Sequence, residues 1–239
     1  MRLLDLTLAT PEANLALDEA LLNGAEDGED FANVLRFWEA PSPFVVVGRA
    51  SHLREEVNLD ACRAAGVPVL RRCSGGTSVV AGPGCLMYAV VLSYEQYPKL
   101  RVVEAAHEFV MRQMRGALSK LSPEVQFRGS CDLTLGELKI SGNSLRCKRQ
   151  HLLYHGTVLY DFPLKQISSW LKVPPRQPDY RRGRAHDSFV ANFPFSVNEI
   201  QNAIIAEWNA NHLLESWPHD ATSQLITGRY SLDAWNERL

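Results

Sequence analysis

The chain lacks the features that mark several large classes of protein. Its longest apolar run, Leu86 to Leu92, is far shorter than the roughly 20 residues of a membrane-spanning helix, and its N-terminus has no apolar signal region. Lysine and arginine total 25 against 27 aspartate and glutamate, so the basic excess that supports non-specific nucleic-acid binding is missing. We therefore expect a cytoplasmic protein with neither membrane nor nucleic-acid partners.

Cysteine and the common nucleotide-binding motifs are also sparse or missing. The five cysteines among the 239 residues form no CxxC pair, which argues against a disulfide framework and a zinc site and favours a reducing compartment. The sequence contains neither GxxxxGK[ST] nor a GxGxxG that opens a helix after a strand. A P-loop kinase, a Rossmann dehydrogenase and a bound redox cofactor are accordingly not expected.

Helix and strand patterns are mixed along the chain. Thr10, followed by a proline, predicts the start of an amphipathic helix that ends near Gly24. Strand-like runs at Val34 to Trp38 and Phe44 to Arg49 flank two prolines and predict a strand pair, whereas an apolar stripe over Val102 to Leu121 predicts a core-facing helix. Because strands cluster in the middle of the chain, with helices on both sides, the pattern indicates a single α+β domain.

An arginine pair leads directly into a glycine-rich turn. Arg71 and Arg72 precede Ser74, Gly75 and Gly76, and fixed guanidinium groups beside free backbone N–H groups suit a carboxylate or a phosphate. The alternative is a solvated arginine pair in front of a hairpin.

Lys139 lies in a strand-like run just before a predicted turn at Ser141 and Gly142. A lysine that points into a cleft there could neutralise charge on a phosphate or an acyl oxygen. An exposed lysine on an edge strand, which discourages aggregation, fits the same spacing.

Three further side chains carry reactive groups. His155 could act as a general base or be a buried, hydrogen-bonded histidine. Cys131 could be a nucleophile if Lys139 or His155 stabilised its thiolate, or it could be an inert buried cysteine. Asp132 could bind Mg²⁺ together with substrate phosphate, or it could simply belong to a hairpin turn.

Six segments, in this order along the chain, resemble the lipoate-protein ligase A family within the biotin/lipoate ligase and octanoyltransferase superfamily. They are NLALDEALL, FVVVGRASHLREEVN, RRCSGGTSVV, GSCDLTLGELKISGN, YHGTVLYD and SFVANF. The resemblance implies a central mixed β-sheet flanked by helices, as one biotin/lipoate ligase-like catalytic domain over residues 1–239. Since the chain has 239 residues, we expect it to lack the small C-terminal domain of roughly 90 residues that many two-domain ligases carry.

The resemblance also implies a reaction. Lipoate or octanoate would be activated by ATP with Mg²⁺ to acyl-AMP, and the acyl group would pass to a lysine of a lipoyl carrier domain. Such carriers are E2 subunits or proteins like the glycine cleavage H protein, and a separate accessory subunit is a further expected partner.

Site residues follow from the same resemblance. Lys139 would contact the acyl carbonyl and the α-phosphate, and Asp132 would lie at the nucleotide and Mg²⁺ site. The residues implied to border the acyl and phosphate site are Arg72, Ser74, Gly75, Gly76 and Thr77, and those implied to line the cleft are Ser141, Gly142, His155, Gly156 and Thr157.

Departures from the family pattern leave other functions open. Ligases usually have SGGG and His-Asp where this chain has Thr77 and Ala81-Gly82, and the turn from Gly82 to Gly84 resembles octanoyltransferases. An ATP-independent octanoyltransferase, which would take octanoate from acyl carrier protein through Cys131, is therefore the second hypothesis. A homologue that binds ligands without catalysis is the third.

Overall fold

Two β-sheets form the framework of the protein, whose computed structural model describes all 239 residues. In chain order the strands are β1 (Arg2–Asp5), β2 (Val34–Trp38), β3 (Phe44–Val47), β4 (Val69–Arg71), β5 (Val79–Ala81), β6 (Cys85–Ser93), β7 (Val125–Arg128), β8 (Asp132–Leu135), β9 (Leu138–Cys147), β10 (His151–Leu159) and β11 (His212–Leu213). Eight of them form one sheet in the order β11-β1-β2-β6-β10-β9-β8-β7, and three form a smaller sheet in the order β4-β3-β5. Both sheets contain parallel and antiparallel pairs, which confirms the expected mixed sheet.

Helices cover both faces of the larger sheet. They are α1 (Pro11–Glu26), α2 (Leu53–Glu56), α3 (Leu59–Ala64), α4 (Val103–Ser119), α5 (Lys165–Trp170), α6 (Val197–Trp208), α7 (His219–Leu225) and α8 (Asp233–Asn236). Side chains alternate along β6, so Tyr88 and Val90 pack in the cluster with α4 and α6, while Ala89 and Val91 pack in the cluster with α1. The predicted α+β class is therefore confirmed.

Two of the predicted helices form close to their expected bounds. The Thr10 hydroxyl accepts a hydrogen bond from the Ala13 N–H at 3.3 Å and caps α1, which continues two residues beyond Gly24. Helix α4 begins one residue after Val102 and buries its apolar stripe. None of the helices has the length and apolar character needed to cross a bilayer.

The predicted pairing of β2 with β3 is wrong. Strand β2 lies between β1 and β6, whereas β3 lies between β4 and β5 in the other sheet. Pro41 and Pro43 each restrict φ and lack an N–H group, so this segment does not form a tight hairpin turn and instead leads from one sheet to the other. The predicted turn at Gly142 is also wrong, because β9 continues through Gly142 to Cys147.

Candidate active site

Two adjoining cavities lie where the smaller sheet meets β9 and β10. The first, which we call the glycine-loop cavity, has a volume of about 1050 Å³, and Leu15, Met87, Arg72 and His155 are among its lining residues. The second, the cationic cavity, has a volume of about 670 Å³, and Lys172, Arg181, Glu56 and Phe189 are among its lining residues. The residues common to both walls are Thr77, Val79, Lys139, Gly142 and Thr157.

Lys139, in this shared wall, forms an ion pair with Asp132, which lines only the glycine-loop cavity. Its Nζ lies 2.7 Å from Asp132 Oδ1, and Asp132 Oδ2 accepts a hydrogen bond from the Tyr180 hydroxyl at 2.7 Å. Burial and the nearby Asp132 carboxylate raise the pKa of Tyr180 well above its ordinary value, so the hydroxyl remains a donor. Lys139 is on an interior strand of the sheet, and the edge-strand alternative is therefore wrong.

The sheet register explains how Lys139 reaches Asp132. Lys139 pairs with Thr134, and Asp132 pairs with Gly142. Asp132 and Thr134 are two residues apart and share a face of the sheet, so the lysine stem extends along β9 over Gly142. A Cβ at position 142 would lie 2.8 Å from both Cε and Nζ of Lys139. A side chain at position 142 would therefore displace the end of the lysine side chain.

The backbone of Lys139 is held by a neighbouring segment. The Lys139 N–H donates to the Phe189 carbonyl at 2.8 Å, and the Ala191 N–H donates to the Lys139 carbonyl at 2.9 Å. These residues belong to SFVANF, the last of the six recognised segments. The segment thus fixes the strand position from which Lys139 extends.

The guanidinium of Arg72 holds the glycine loop, which we define as residues 74–77. It donates to the carbonyls of Gly75 and Thr77 and, at 3.3 Å, to that of Val46. Gly76 has a φ of +82°, a conformation that favours glycine. Burial lowers the pKa of Arg72 to about 10, so its charge is retained at neutral pH.

Arg71 is a structural residue. Its Nη1 donates to the carbonyls of Gly48 and Ser51 at 2.8 and 2.9 Å, and its Nε donates to those of Trp235 and Asn236 at 3.2 and 3.3 Å. Both Arg71 and its neighbour are buried, so they do not form a solvated pair. The expectation that both guanidinium groups face an anion is wrong for Arg71, because it is fully buried and lines neither cavity.

His155 is buried and also lines the glycine-loop cavity. Its Nε2 lies 2.5 Å from Ser74 Oγ, and its Nδ1 lies 3.3 Å from Asp18 Oδ2. Asp18 is in turn paired with the buried guanidinium of Arg36. Burial opposes ionisation of Asp18, but Arg36 and His155 outweigh it and hold the pKa of the Asp18 carboxyl below its ordinary value.

Asn143 is hydrogen-bonded to three neighbouring residues of the site. Its Oδ1 accepts from the Tyr88 hydroxyl, and its Nδ2 donates to the Cys131 carbonyl at 2.8 Å and to Ser141 Oγ at 3.1 Å. A Cβ on Gly156 would come within 1.7 Å of Asn143 Oδ1. The glycine in the YHGTVLYD segment is therefore required by this contact.

Cys131 lines the glycine-loop cavity but is poorly suited to nucleophilic attack. Its Sγ donates to the Asn143 carbonyl at 2.9 Å. Burial, and then the Asp132 carboxylate, raise the pKa of the Cys131 thiol. Since the thiolate is the nucleophilic form, this environment disfavours reaction at Cys131.

The cationic cavity combines basic groups and one fixed carboxylate with apolar side chains such as Ile140 and Leu171. Glu56 Oε2 accepts from the N–H and the hydroxyl of Ser78 at 2.6 and 2.7 Å. The His186 Nε2 is 3.1 Å from the Lys172 carbonyl, and its Nδ1 is 3.4 Å from Arg181 Nη2. Burial lowers the pKa values of both His186 and Arg181. A neutral His186 can therefore donate to the carbonyl and accept from Arg181.

The described side chains do not form a complete metal site by themselves. No group of three His, Cys, Asp or Glu side chains is arranged to hold an ion, and both oxygens of Asp132 already have partners. A Mg²⁺ ion near Asp132 would therefore need substrate phosphate oxygens for most of its ligands.

Most residues expected at the site do meet there. Those that line one or both cavities are Arg72, Thr77, Cys131, Asp132, Lys139, Ser141, Gly142, His155, Gly156 and Thr157. Ser74 is buried behind the cavity wall, whereas Gly75 and Gly76 are exposed on the outer side of the loop.

Sequence reasoning missed Asp18, Tyr180 and Arg181. Asp18 lies within NLALDEALL, so its motif was recognised without a role for its carboxylate. Tyr180 and Arg181 lie in a Pro/Arg-rich stretch whose composition indicates only a loop. No local sequence pattern predicts the contact of Tyr180 with β8 or the contact of Arg181 with His186.

Comparison with known proteins identifies clear relatives. Residues 10–209 match the family model for the lipoyl protein ligase A/B catalytic domain. A protein of Aeropyrum pernix named "Putative lipoate-protein ligase A" is 30% identical over 213 residues, which are 89% of this chain and 76% of that protein.

Solved structures share the fold along nearly the whole chain. The Thermoplasma acidophilum structure described as a bi-partite lipoate protein ligase and its E2 lipoyl domain has a TM-score of 0.81 at 25% identity, covering 99% of this chain and 95% of that one. A lipoate-protein ligase A bound with ATP has a TM-score of 0.79 at 24% identity, covering 99% and 98% of the two chains.

Proposed function

The chain belongs to the lipoyl protein ligase A/B catalytic domain family, and from this premise we propose that it activates lipoate or octanoate with ATP. The carboxylate oxygen forms a bond to the α-phosphorus, the bond from that phosphorus to pyrophosphate breaks, and acyl-AMP results. The amine of a carrier lysine then forms an amide bond with the acyl carbon and loses a proton as AMP leaves.

The observation that carries this proposal is the position of Lys139 in a wall common to two cavities. Apolar side chains such as Leu15 and Met87 suit the glycine-loop cavity to an acyl chain, while Lys172 and Arg181 suit the cationic cavity to a nucleotide. The carboxylate and the α-phosphate would meet at the shared wall. The Lys139 ammonium would offset the repulsion between these two anions and stabilise charge as the bond forms.

Neighbouring groups would keep the Lys139 side chain in place. Asp132 orients its ammonium by the ion pair, and Tyr180 holds the other carboxylate oxygen. Mg²⁺, when bound with ATP, would supply further positive charge on the phosphates. Asp132 and the cationic-cavity residues would be its nearest protein groups.

The relatives support two partners. The Thermoplasma system is described with an E2 lipoyl domain and as a bi-partite ligase. By likeness, a lipoyl carrier domain is the acceptor proposed for this chain, and a separate accessory subunit is proposed to cooperate with the catalytic domain of residues 1–239.

Exchange of labelled pyrophosphate into ATP tests the activation step. Purified protein with ATP, Mg²⁺ and lipoate should catalyse exchange that depends on the acid, with octanoate as a second substrate. A lipoyl carrier domain should then gain the mass of one acyl group. Absence of exchange, both alone and with an accessory subunit added, would contradict the proposal.

The second candidate is an octanoyltransferase that uses Cys131, because this thiol lines the glycine-loop cavity. Its sulfur would form a thioester with octanoate from acyl carrier protein and release the carrier thiol. Mass spectrometry after mixing with octanoyl carrier protein would reveal an adduct on Cys131. Binding of lipoate or ATP with no turnover in any of these assays would instead identify a homologue without catalysis.

A further inference from the structure

A continuous chain of hydrogen bonds connects α1 to the glycine loop, and we infer that Asp18 is a positioning residue for the acid substrate. Asp18 would act through His155, Ser74 and Arg72 on the loop that borders the glycine-loop cavity. This inference rests on the proposed function for its substrate, whereas the hydrogen-bond chain itself is a property of the protein without ligands.

One direction of donation pairs every polar group in this chain. The Nε of Arg72 is always a donor and lies 3.0 Å from Ser74 Oγ, and the other side-chain partner of that oxygen is His155 Nε2. The Ser74 hydroxyl therefore accepts from Arg72 and pairs its own proton by donating to His155 Nε2. That leaves the second ring nitrogen, Nδ1, to carry the proton and donate to Asp18. These contacts therefore favour the ring form with a proton on Nδ1 and an acceptor at Nε2.

The arrangement has the order of a serine hydrolase triad, but its serine is not a nucleophile. Ser74 is 0% exposed, whereas His155 is 6% and Asp18 is 1% exposed. The Ser74 oxygen already accepts from Arg72, and Ser74 does not line either cavity. A substrate carbonyl therefore has no access to this hydroxyl, and the chain orients groups instead of attacking them.

The two ends of the hydrogen-bond chain differ in burial. At one end Asp18 is anchored by Arg36, whose guanidinium also donates to the carbonyls of Asn14 and Leu6 at 2.8 and 3.1 Å. At the other end the Arg72 guanidinium donates to two carbonyls of the exposed glycine loop. The buried anchor thus adds to the hydrogen bonds that Ser51 and Ser144 donate to the carbonyls of Gly76 and Gly75 at 3.0 and 2.8 Å.

The position of Arg72 determines which face of the loop meets the acid. His155 and Arg72 line the glycine-loop cavity, so loss of the hydrogen bonds between them would let both side chains rotate. A cavity wall with less fixed side chains binds the substrate more weakly, and it binds the transition state more weakly by a similar amount. Such a change raises KM and leaves kcat nearly unchanged.

Replacement of Ser74 by alanine breaks the chain at its centre with little change of volume. For S74A we expect the KM for lipoate to rise about tenfold, the effect of losing one buried hydrogen bond, while kcat changes less than about threefold. The matched control is S93A, which removes a hydroxyl that accepts only from the Glu95 N–H and should leave both constants unchanged. An S74A enzyme with wild-type KM would overturn the inference.

A conservative variant separates positioning from packing. In H155Q the amide oxygen can take the place of Nε2 and accept from Ser74, whereas H155L retains bulk but has no acceptor. We expect H155Q to recover only part of the affinity for lipoate that H155L loses, because it restores the bond to Ser74 and not the bond to Asp18. Equal KM values for the two variants would contradict a role for the hydrogen bond.

The protonation state of His155 tests the chain independently of activity. Long-range ¹H–¹⁵N correlations of the histidine rings distinguish the two neutral tautomers in the ligand-free protein. The Nδ1–H tautomer is expected for His155 in the wild type. The Nε2–H tautomer would refute the hydrogen-bond chain even in an active enzyme, whereas the expected tautomer in a protein without pyrophosphate exchange would locate the failure in the proposed function.

Discussion

The ammonium of Lys139 lies 2.7 Å from the carboxylate of Asp132, across the antiparallel pair of β9 and β8. Lys139 lines both cavities, each of which combines apolar with basic side chains. A cation in this position can contact one anion from each side. The proposed ligation requires such a meeting point, because the carboxylate and the α-phosphate are both anions.

Replacement of Lys139 by alanine should abolish activation with little effect on folding. The pyrophosphate exchange rate should fall at least about 100-fold, because one preorganised electrostatic contact is lost. The variant should still fold, since Asp132 keeps the hydrogen bond from Tyr180 when the lysine is removed. Wild-type exchange in K139A would contradict the role assigned to this residue.

A matched control for this variant is K120A. Lys120 also forms an ion pair, with Glu207 at 2.7 Å, but its side chain is 55% exposed. Loss of an exposed ion pair has little effect on stability, so K120A should fold and exchange pyrophosphate like the wild type.

Replacement of Gly142 by alanine should displace Lys139 without removing it. The added Cβ would lie 2.8 Å from the lysine Cε and Nζ, so the side chain must move. We expect kcat to fall about tenfold to 100-fold, the effect of misplacing a group by about 1 Å. Steady-state kinetics and a crystal structure of G142A provide the measurement.

G228A is the control for that variant, because no atom lies within 4 Å of a Cβ at Gly228. It should have wild-type kcat. A G142A enzyme that is equally active would mean that the path of Lys139 over Gly142 has no catalytic importance.

Replacement of Cys131 by alanine distinguishes ligase from transferase. The buried thiol has a raised pKa and plays no part in adenylate formation, so C131A should retain pyrophosphate exchange within about threefold of the wild type, in line with the loss of one weak hydrogen bond. Acyl transfer to a carrier domain should persist as well. Loss of transfer together with disappearance of an acyl adduct would favour the octanoyltransferase.

His186 should make the stability of the protein sensitive to mild acid. Burial lowers the pKa of His186 in the folded protein, so between that value and about 6.5 the unfolded chain binds more protons at this group. Its contribution to stability is therefore present above about pH 6.5 and is lost as the pH falls through that range.

Urea unfolding at several pH values measures this effect against H186Q, which has no titrating ring. The free energy of unfolding should decrease more steeply for the wild type than for H186Q below about pH 6.5. Parallel curves for the two proteins would contradict this assignment.

Local sequence patterns predict where helices and strands form better than they predict which strands pair. Thr10 and the following proline mark the start of α1 because capping depends on neighbouring residues. The assignment of β2 and β3 to different sheets depends on the strands that flank them, β6 above all, and these are distant in sequence. The alternation of side chains along β2 and β3 does not show which strands lie beside them.

The same limit applies to the site. Lys139 and Asp132 were both expected there, but the ion pair between them depends on the register of β8 and β9, which shifts between Leu133 and Thr134. The contact of Tyr180 with Asp132 joins residues 48 positions apart. Asp18, in α1, is recognised only as part of a motif, because its contacts are with Arg36 in β2 and His155 in β10.

A crystal structure with a non-hydrolysable analogue of lipoyl-adenylate tests the central proposal most directly. We predict the acyl chain in the glycine-loop cavity, the adenosine in the cationic cavity and the linkage between them within hydrogen-bond distance of Lys139 Nζ. An analogue bound with both halves in one cavity, or with its linkage away from Lys139, would contradict the account.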